Sequence, residues 1–190
     1  LCRIEPGTHA EHTYRFSVGP WRLAEMVWPN VFGRQFPKHR RWIEALPAEG
    51  LVWVPSLYMG LLPLLLAVAA MQFRLKKGAR REASRVRAVW MSWVAVLGLL
   101  GAFGWYGLGW LVNEGALLFG GDPAEPGPVP GAIGGLYWLM NTFLPGYAYF
   151  RYPGKLLVPA ALGLSMLAGL GFDRVFSGRA PRFGRGLLWL

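Results

Sequence analysis

The sequence has few of the residues on which soluble active sites depend. Its 190 residues include one cysteine, Cys2, so no disulfide can form within the chain. The cysteine and the three histidines follow no spacing typical of a metal site. Charged residues make up 16% of the chain, whereas soluble domains carry about a quarter. No paired carboxylates and no Ser/His/Asp set can be assembled from the pattern. These absences argue against a soluble enzyme.

Long apolar runs take the place of charge. Residues 51–73 and 88–112 are blocks of 23 and 25 residues without a charged side chain, and 156–172 is a third apolar run. About 20 apolar residues cross the roughly 30 Å of bilayer hydrocarbon. Because hydrocarbon offers no water to backbone amides, such runs must be helical. We therefore predict an all-α integral membrane protein, a polytopic helical bundle with three spans at these positions.

Proline and charge shape the segments around the spans. Residues 1–50 contain five prolines and all three histidines, which predicts an irregular outer loop with a short amphipathic helix over 17–27. Inside the first span, Pro55 is expected in the first turn and Pro63 at a kink. Residues 186–190 resemble the start of a further span. Since the chain also begins without Met, we expect a fragment of a longer polytopic protein.

The distribution of charge predicts the orientation. The net charge is +10, and residues 74–87 hold seven basic side chains against one acid. Short loops rich in Lys and Arg stay in the cytoplasm, so 74–87 and 173–185 are predicted to be cytoplasmic, and 1–50 and 113–155 extracytoplasmic. One crossing then separates 113–131 from 173–185, which leaves 132–150 as an interfacial or re-entrant outer helix.

The basic loop at 74–87 leaves functional alternatives open. Besides fixing topology, it suits a patch for anionic lipids or for nucleic acid. Nucleic-acid binding fits poorly, because the basic residues alternate with apolar blocks of membrane length. We therefore expect membrane lipids, and no nucleic acid, as partners.

The candidate site lies at the outer mouth of the third span. Arg151 and Lys155 flank Tyr152 among further aromatic residues. Arginine binds phosphate with two parallel hydrogen bonds and lysine acts as a point charge, so the pair suits a lipid phosphate. The alternative is that both are anchors that snorkel from a helix end. His9 and His12 could add an acid, base or phosphate donor, or could belong to an ordinary exposed loop.

Four stretches carry a family resemblance. They are VWPNVFG (27–33), PSLYMGLLPLLL (55–66), FRYPGKLL (150–157) and AGLGFD (168–173). Together they resemble bacterial YfhO-type membrane proteins of the inner membrane, over roughly 27–175. That family is similar to the GT-C glycosyltransferases, which use polyprenyl-phosphate-linked sugars at the outer membrane face.

The resemblance implies sugar transfer from a lipid-phosphate donor to an envelope polymer or lipid. Arg151 and Lys155 would contact the donor phosphate, supported by Tyr152 and by His9 or His12. The acidic catalytic base of the GT-C pattern follows a first helix that this chain does not contain. No cofactor is identified, although a divalent metal ion held by residues outside this fragment is one option. The alternative is a non-enzymatic polytopic subunit or a transporter component. Transport is disfavoured because the spans hold little polarity beyond Ser92 and Ser165.

Overall fold

The computed structural model describes residues 13–32, 54, 56–74, 83–121, 129–150 and 152–177, and within these ranges every regular element is a helix. This agrees with the predicted all-α class. The α-helices are α1 (Leu61–Ala70), α2 (Ala83–Ala102), α3 (Leu108–Leu118), α4 (Leu136–Phe143) and α5 (Leu157–Phe176). Short 3₁₀ helices cover Pro20–Met26, Tyr147–Tyr149 and Pro153–Leu156.

Helix α5 packs against both α1 and α2, and these three helices contain most of the core. The carbonyl of Ala70 at the end of α1 accepts a hydrogen bond from Arg174 at the end of α5, so the two helices run parallel. Helix α2 is antiparallel to them, because Gly98 near its end faces Ala160 near the start of α5. The end where α5 starts is hereafter the Lys155 end, and the opposite end is the Arg174 end.

Small residues set the distance between α2 and α5. A Cβ atom placed on Gly163 would lie 2.9 Å from the backbone nitrogen of Ala95, and one on Gly98 would lie 2.9 Å from that of Ala160. The two backbones are therefore in direct contact, as in many membrane helix pairs. The buried face of α2 consists of small residues at helical spacing, namely Ala88, Ser92, Ala95, Gly98, Gly101 and Ala102.

Among the described residues, two helices are long and apolar enough to cross a membrane. They are Ala83–Ala102, with 20 residues, and Pro153–Phe176, with 24 residues and including the 3₁₀ turn before α5. The third predicted span, 156–172, is thus matched by α5. The second, 88–112, is wrong as one continuous helix, because α2 ends at Ala102 and α3 starts at Leu108. Gly104, with φ +52°, turns the chain where a Cβ atom would overlap Pro153.

The first predicted span is not a membrane-length helix. In place of 51–73, α1 covers ten residues, which is about 15 Å and half the hydrocarbon thickness. Pro63 lies in its first turn, so the predicted kink at Pro63 is wrong. A proline has no N–H and its ring clashes with the carbonyl four residues earlier, so a helix rarely continues toward its N-terminus through proline. Gly60, with φ +95°, ends the preceding extended segment.

The remaining elements are short. Within the predicted 132–150 helix, α4 has eight residues and Tyr147–Tyr149 forms a separate 3₁₀ turn, so neither can span. The amphipathic stretch at 17–27 contains the 3₁₀ helix Pro20–Met26. In the segment 113–131, the residues as far as Leu118 belong to α3. The further span expected from residue 186 lies outside the described residues.

Candidate functional site

Lys155 lies in the 3₁₀ turn that starts the long helix containing α5. Pro153 opens this turn, where its missing N–H costs nothing and its fixed φ suits a helix start. Pro153 and Gly154 are buried, and the Lys155 amide donates to the carbonyl of Tyr152 over 3.0 Å. The backbone at Lys155 is thus held in place, while its side chain is half-buried.

The ammonium group of Lys155 lies over two aromatic rings. Its Nζ is 5.3 Å from the ring centroid of Phe150 and 5.2 Å from that of Tyr152. Each ring face attracts a cation by about 0.5–1 kcal/mol at exposed sites. Among the described residues the sole ion pair joins Arg22 to Glu25, so no described carboxylate neutralises Lys155. The rings orient the charge and leave it able to meet an anion.

The two rings beside this lysine belong to a larger set of aromatic residues, hereafter the aromatic cluster. It consists of Tyr14, Phe16, Trp105, Tyr137, Tyr147, Phe150 and Tyr152, with ring centroids 5.0–5.8 Å apart in each contacting pair. Most pairs meet edge to face, the arrangement that the ring quadrupoles favour. The cluster joins the N-terminal segment, the end of α2, and α4 to the start of α5.

Tyr137 is the buried centre of the cluster. Its side chain has no solvent exposure, and its hydroxyl donates a hydrogen bond to the carbonyl of Phe150. This bond fixes the backbone that carries one of the two rings under Lys155. Burial, followed by the charges that Tyr147 and Tyr14 would carry, raises the pKa of Tyr137 well above its usual value. The hydroxyl therefore stays a donor at any physiological pH.

The N-terminal segment packs onto the same end of the bundle. Ser17 Oγ donates to the carbonyl of Tyr14 over 2.7 Å and accepts from the amide of Trp105 over 2.9 Å. Phe16 and Tyr152 both have positive φ, 61° and 73°, and their rings meet at 5.0 Å. Such sparsely populated backbone conformations in non-glycine residues concentrate at binding and active sites.

A buried ion pair lies beside this region, on the 3₁₀ helix Pro20–Met26. Arg22 Nη2 is 2.7 Å from Glu25 Oε2 and also donates to the carbonyl of Val54 over 2.9 Å. The Glu25 side chain is 8% exposed. Its carboxylate is already engaged by Arg22, so its role is to anchor the segment before α1 rather than to serve as a reactive acid.

Two of the five predicted site residues lie in the described part of the chain. Lys155 and Tyr152 are brought together, while Arg151, His9 and His12 lie outside the described residues. The sequence shows aromatic residues around the lysine, but nothing in it distinguishes Tyr137 or Phe150 from the others. Tyr14 and Phe16 carried no signal at all, because they join the site from more than a hundred residues away in the chain.

Comparison with known proteins adds no relative. No protein-family model matches the chain, and no curated protein or solved structure is similar to it. The resemblance to YfhO-type proteins therefore stays a prediction. The chemistry of the site rests on its geometry, which is a lysine cation held between aromatic rings at one end of two membrane-length helices.

Proposed function

We propose that this chain is the membrane-embedded part of a glycosyltransferase-like protein of the bacterial inner membrane, which binds a polyprenyl-phosphate-linked sugar at the Lys155 end. The surface of the long helices supports a bilayer location. Only 33% of the apolar window of each is buried, whereas the core helix of a soluble protein is mostly buried. Large apolar side chains such as Trp90, Val158 and Leu162 project outward and need apolar surroundings.

The ring-held cation of Lys155 is the observation that carries the proposal. A phosphate placed beside its Nζ would form a charge-assisted contact, which is stronger than a neutral hydrogen bond. In sugar transfer from a lipid phosphate, negative charge grows on the departing phosphate, and a fixed cation stabilises it. Tyr152 would shape the site, and the adjacent Arg151 would add the bidentate contact. His9 and His12 remain proposed contributors, and the catalytic base is proposed to lie elsewhere in the protein.

An apolar groove near the lysine suits the lipid part of such a donor. It encloses about 270 Å³ between the segment before α1, α2 and α5. Leu157, which follows Lys155 by two residues, lines the groove together with Met26, Leu99 and Leu164. We propose that it takes the first isoprenoid units of the donor, because a prenyl chain is apolar and continuous with the phosphate that Lys155 would bind.

The arrangement of charge supports the proposed orientation. Arg74, Arg85 and Arg174 are all at the Arg174 end, opposite Lys155. Since basic residues accumulate on the cytoplasmic side, the Lys155 end is proposed to face outward, where the GT-C pattern uses its lipid donor.

Binding of polyprenyl phosphate by the purified protein tests the proposal. Native mass spectrometry should show binding that Lys155→Ala weakens about ten- to hundredfold, since a charged contact contributes about 1.5–3 kcal/mol. Lys155→Arg keeps the charge and should retain most of the binding. Arg15→Ala is the matched control, because Arg15 is an exposed cation near the same end and should leave binding unchanged.

Transfer of labelled sugar from polyprenyl-phosphate donors, in membranes with the same variants, then separates the two functional classes. In the full-length protein, we expect Lys155→Ala and Arg151→Ala to abolish transfer while membrane insertion stays intact. If the wild-type protein binds the donor but no wild-type preparation transfers the sugar, the result would favour a non-enzymatic subunit. Equal binding by wild type and Lys155→Ala would refute the phosphate contact.

A further inference from the structure

A second cavity opens at the Arg174 end, beside the residues that follow α1 and the first turn of α2. Its volume is about 510 Å³, and the described residues that line it are Gln72, Phe73, Arg74 and Arg85. Arg74 and Arg85 are exposed, and neither forms an ion pair with a carboxylate in the described part of the chain. Two cations therefore share one cavity without a described counter-charge.

Hydrogen bonds fix the floor of this cavity. The amide of Gln72 donates to Ser92 Oγ over 2.9 Å, and Ser92 is fully buried. Arg174 Nη1 donates to the carbonyl of Ala70 over 3.1 Å. With the Gln72 side-chain amide oriented to satisfy its neighbours, its oxygen accepts from both Arg174 terminal nitrogens at 3.2 and 3.3 Å. Arg174 is thus engaged in holding the floor, and Arg74 and Arg85 face the cavity on a fixed frame.

Exposed aromatic rings adjoin the two cations. Phe73, which lines the cavity, meets Trp93 edge to face at 5.5 Å and 78°. The two side chains are 45% and 43% exposed, and Trp90 on the same helix is 65% exposed. Trp93 follows Arg85 by eight residues on α2, about 12 Å deeper along the helix, so its ring offers apolar surface at the depth of acyl chains. A ligand for this place needs an anionic group for the arginines and apolar chains for the rings.

We propose that this cavity binds the headgroup of an anionic phospholipid, with the phosphate between Arg74 and Arg85 and the acyl chains along Phe73 and Trp93. Arginine suits this role because its planar donors match phosphate oxygens. The inference requires the bilayer location proposed above but not sugar transfer. The proposal places a specific lipid site at the Arg174 end, whereas the rule that basic loops stay in the cytoplasm predicts only the orientation of that end.

Lipid binding by purified protein in detergent tests this proposal. Native mass spectrometry and thermal unfolding are measured with phosphatidylglycerol, with phosphatidylcholine and with inorganic phosphate. Phosphatidylglycerol should bind and raise the melting temperature, and Arg74→Gln and Arg85→Gln should each weaken binding about tenfold. Arg87→Gln is the matched control. Arg87 is an exposed arginine on the same helix that donates to the carbonyl of Ala83 and does not line the cavity.

The outcomes separate the possibilities. Equal loss for all three arginine variants would mean diffuse attraction to the basic end and would overturn the site. An equal melting-temperature rise with inorganic phosphate would overturn the lipid assignment. Melting temperatures without lipid show whether each variant is folded. Failure of the Lys155 proposal and failure of this one give different results, because the first is measured by polyprenyl phosphate binding in Lys155→Ala and the second by phosphatidylglycerol binding in Arg74→Gln and Arg85→Gln.

Discussion

Replacing Gly171 by alanine tests the helix packing that positions both ends of the bundle. Gly171 is buried on α5, where an added Cβ atom would lie 2.8 Å from the carbonyl carbon of Leu66 on α1 and closer still to its oxygen. Carbon atoms in good contact are about 3.5–4.0 Å apart, and a backbone carbonyl cannot rotate away. Gly171→Ala must therefore push α1 from α5, at a cost at the upper end of about 1–3 kcal/mol for overpacking.

Gly169 provides the matched control two residues earlier on the same helix. It is exposed, and an added Cβ atom would have no neighbour within 4 Å. Both substitutions gain about 1 kcal/mol of helix propensity, so the difference between them isolates the packing cost. We expect Gly171→Ala to melt about 6–12 °C below Gly169→Ala, for a difference of about 3 kcal/mol. Equal melting temperatures in detergent would refute the close approach of α1 and α5.

Two further predictions concern buried polar groups. Ser92→Ala removes the acceptor of the Gln72 amide and should cost about 1 kcal/mol in thermal unfolding, whereas Ser165→Ala, at an exposed position of α5, should cost nothing measurable. Burial raises the folded-state pKa of Tyr137 above its unfolded value of about 10. The stability that the protonated hydroxyl contributes to the folded state is therefore fully present below that pH and is lost as the pH rises further. Unfolding midpoints should fall above about pH 10, and less steeply in Tyr137→Phe; identical slopes would contradict the burial.

The helical ends that local chemistry determines were predictable, and those that tertiary contacts determine were not. The start of α5 follows Pro153, and its apolar run continues to Asp173, so the third span was predictable from composition. Two residues after α2 ends, Gly104 has a positive φ and lies against Ser17 and Pro153, which leave no room for a Cβ atom. An apolar run in the sequence contains no sign of that contact.

The first span shows a different limit. Hydropathy measures how far an apolar run extends, and 51–73 is long enough to cross a bilayer. The helix, however, begins only at Leu61, because Pro63 must lie in a first turn and Gly60 adopts a positive φ. Proline chemistry thus outweighs apolar length. The preference of proline for a first turn thus holds at Pro63, where the apolar run alone predicted a kink.

The candidate site was predictable only in its local part. Lys155 and Tyr152 are neighbours in the sequence, and their aromatic setting was visible there. The edge-to-face contacts of Tyr14 and Phe16, and the burial of Tyr137, depend on how distant segments meet at one end of the bundle. Periodicity does not report such contacts, so the aromatic cluster emerged only from the folded arrangement.

Cysteine accessibility in intact bacteria tests most directly the central claim that two helices cross the inner membrane with the Lys155 end outside. Single cysteines are introduced at Arg15, Leu162 and Ser177 in a protein whose Cys2 is replaced by serine. A membrane-impermeant maleimide should label Arg15→Cys in intact cells with a permeabilised outer layer, Ser177→Cys only after lysis, and Leu162→Cys in neither. Labelling of Arg15→Cys and Ser177→Cys from the same side would contradict the account.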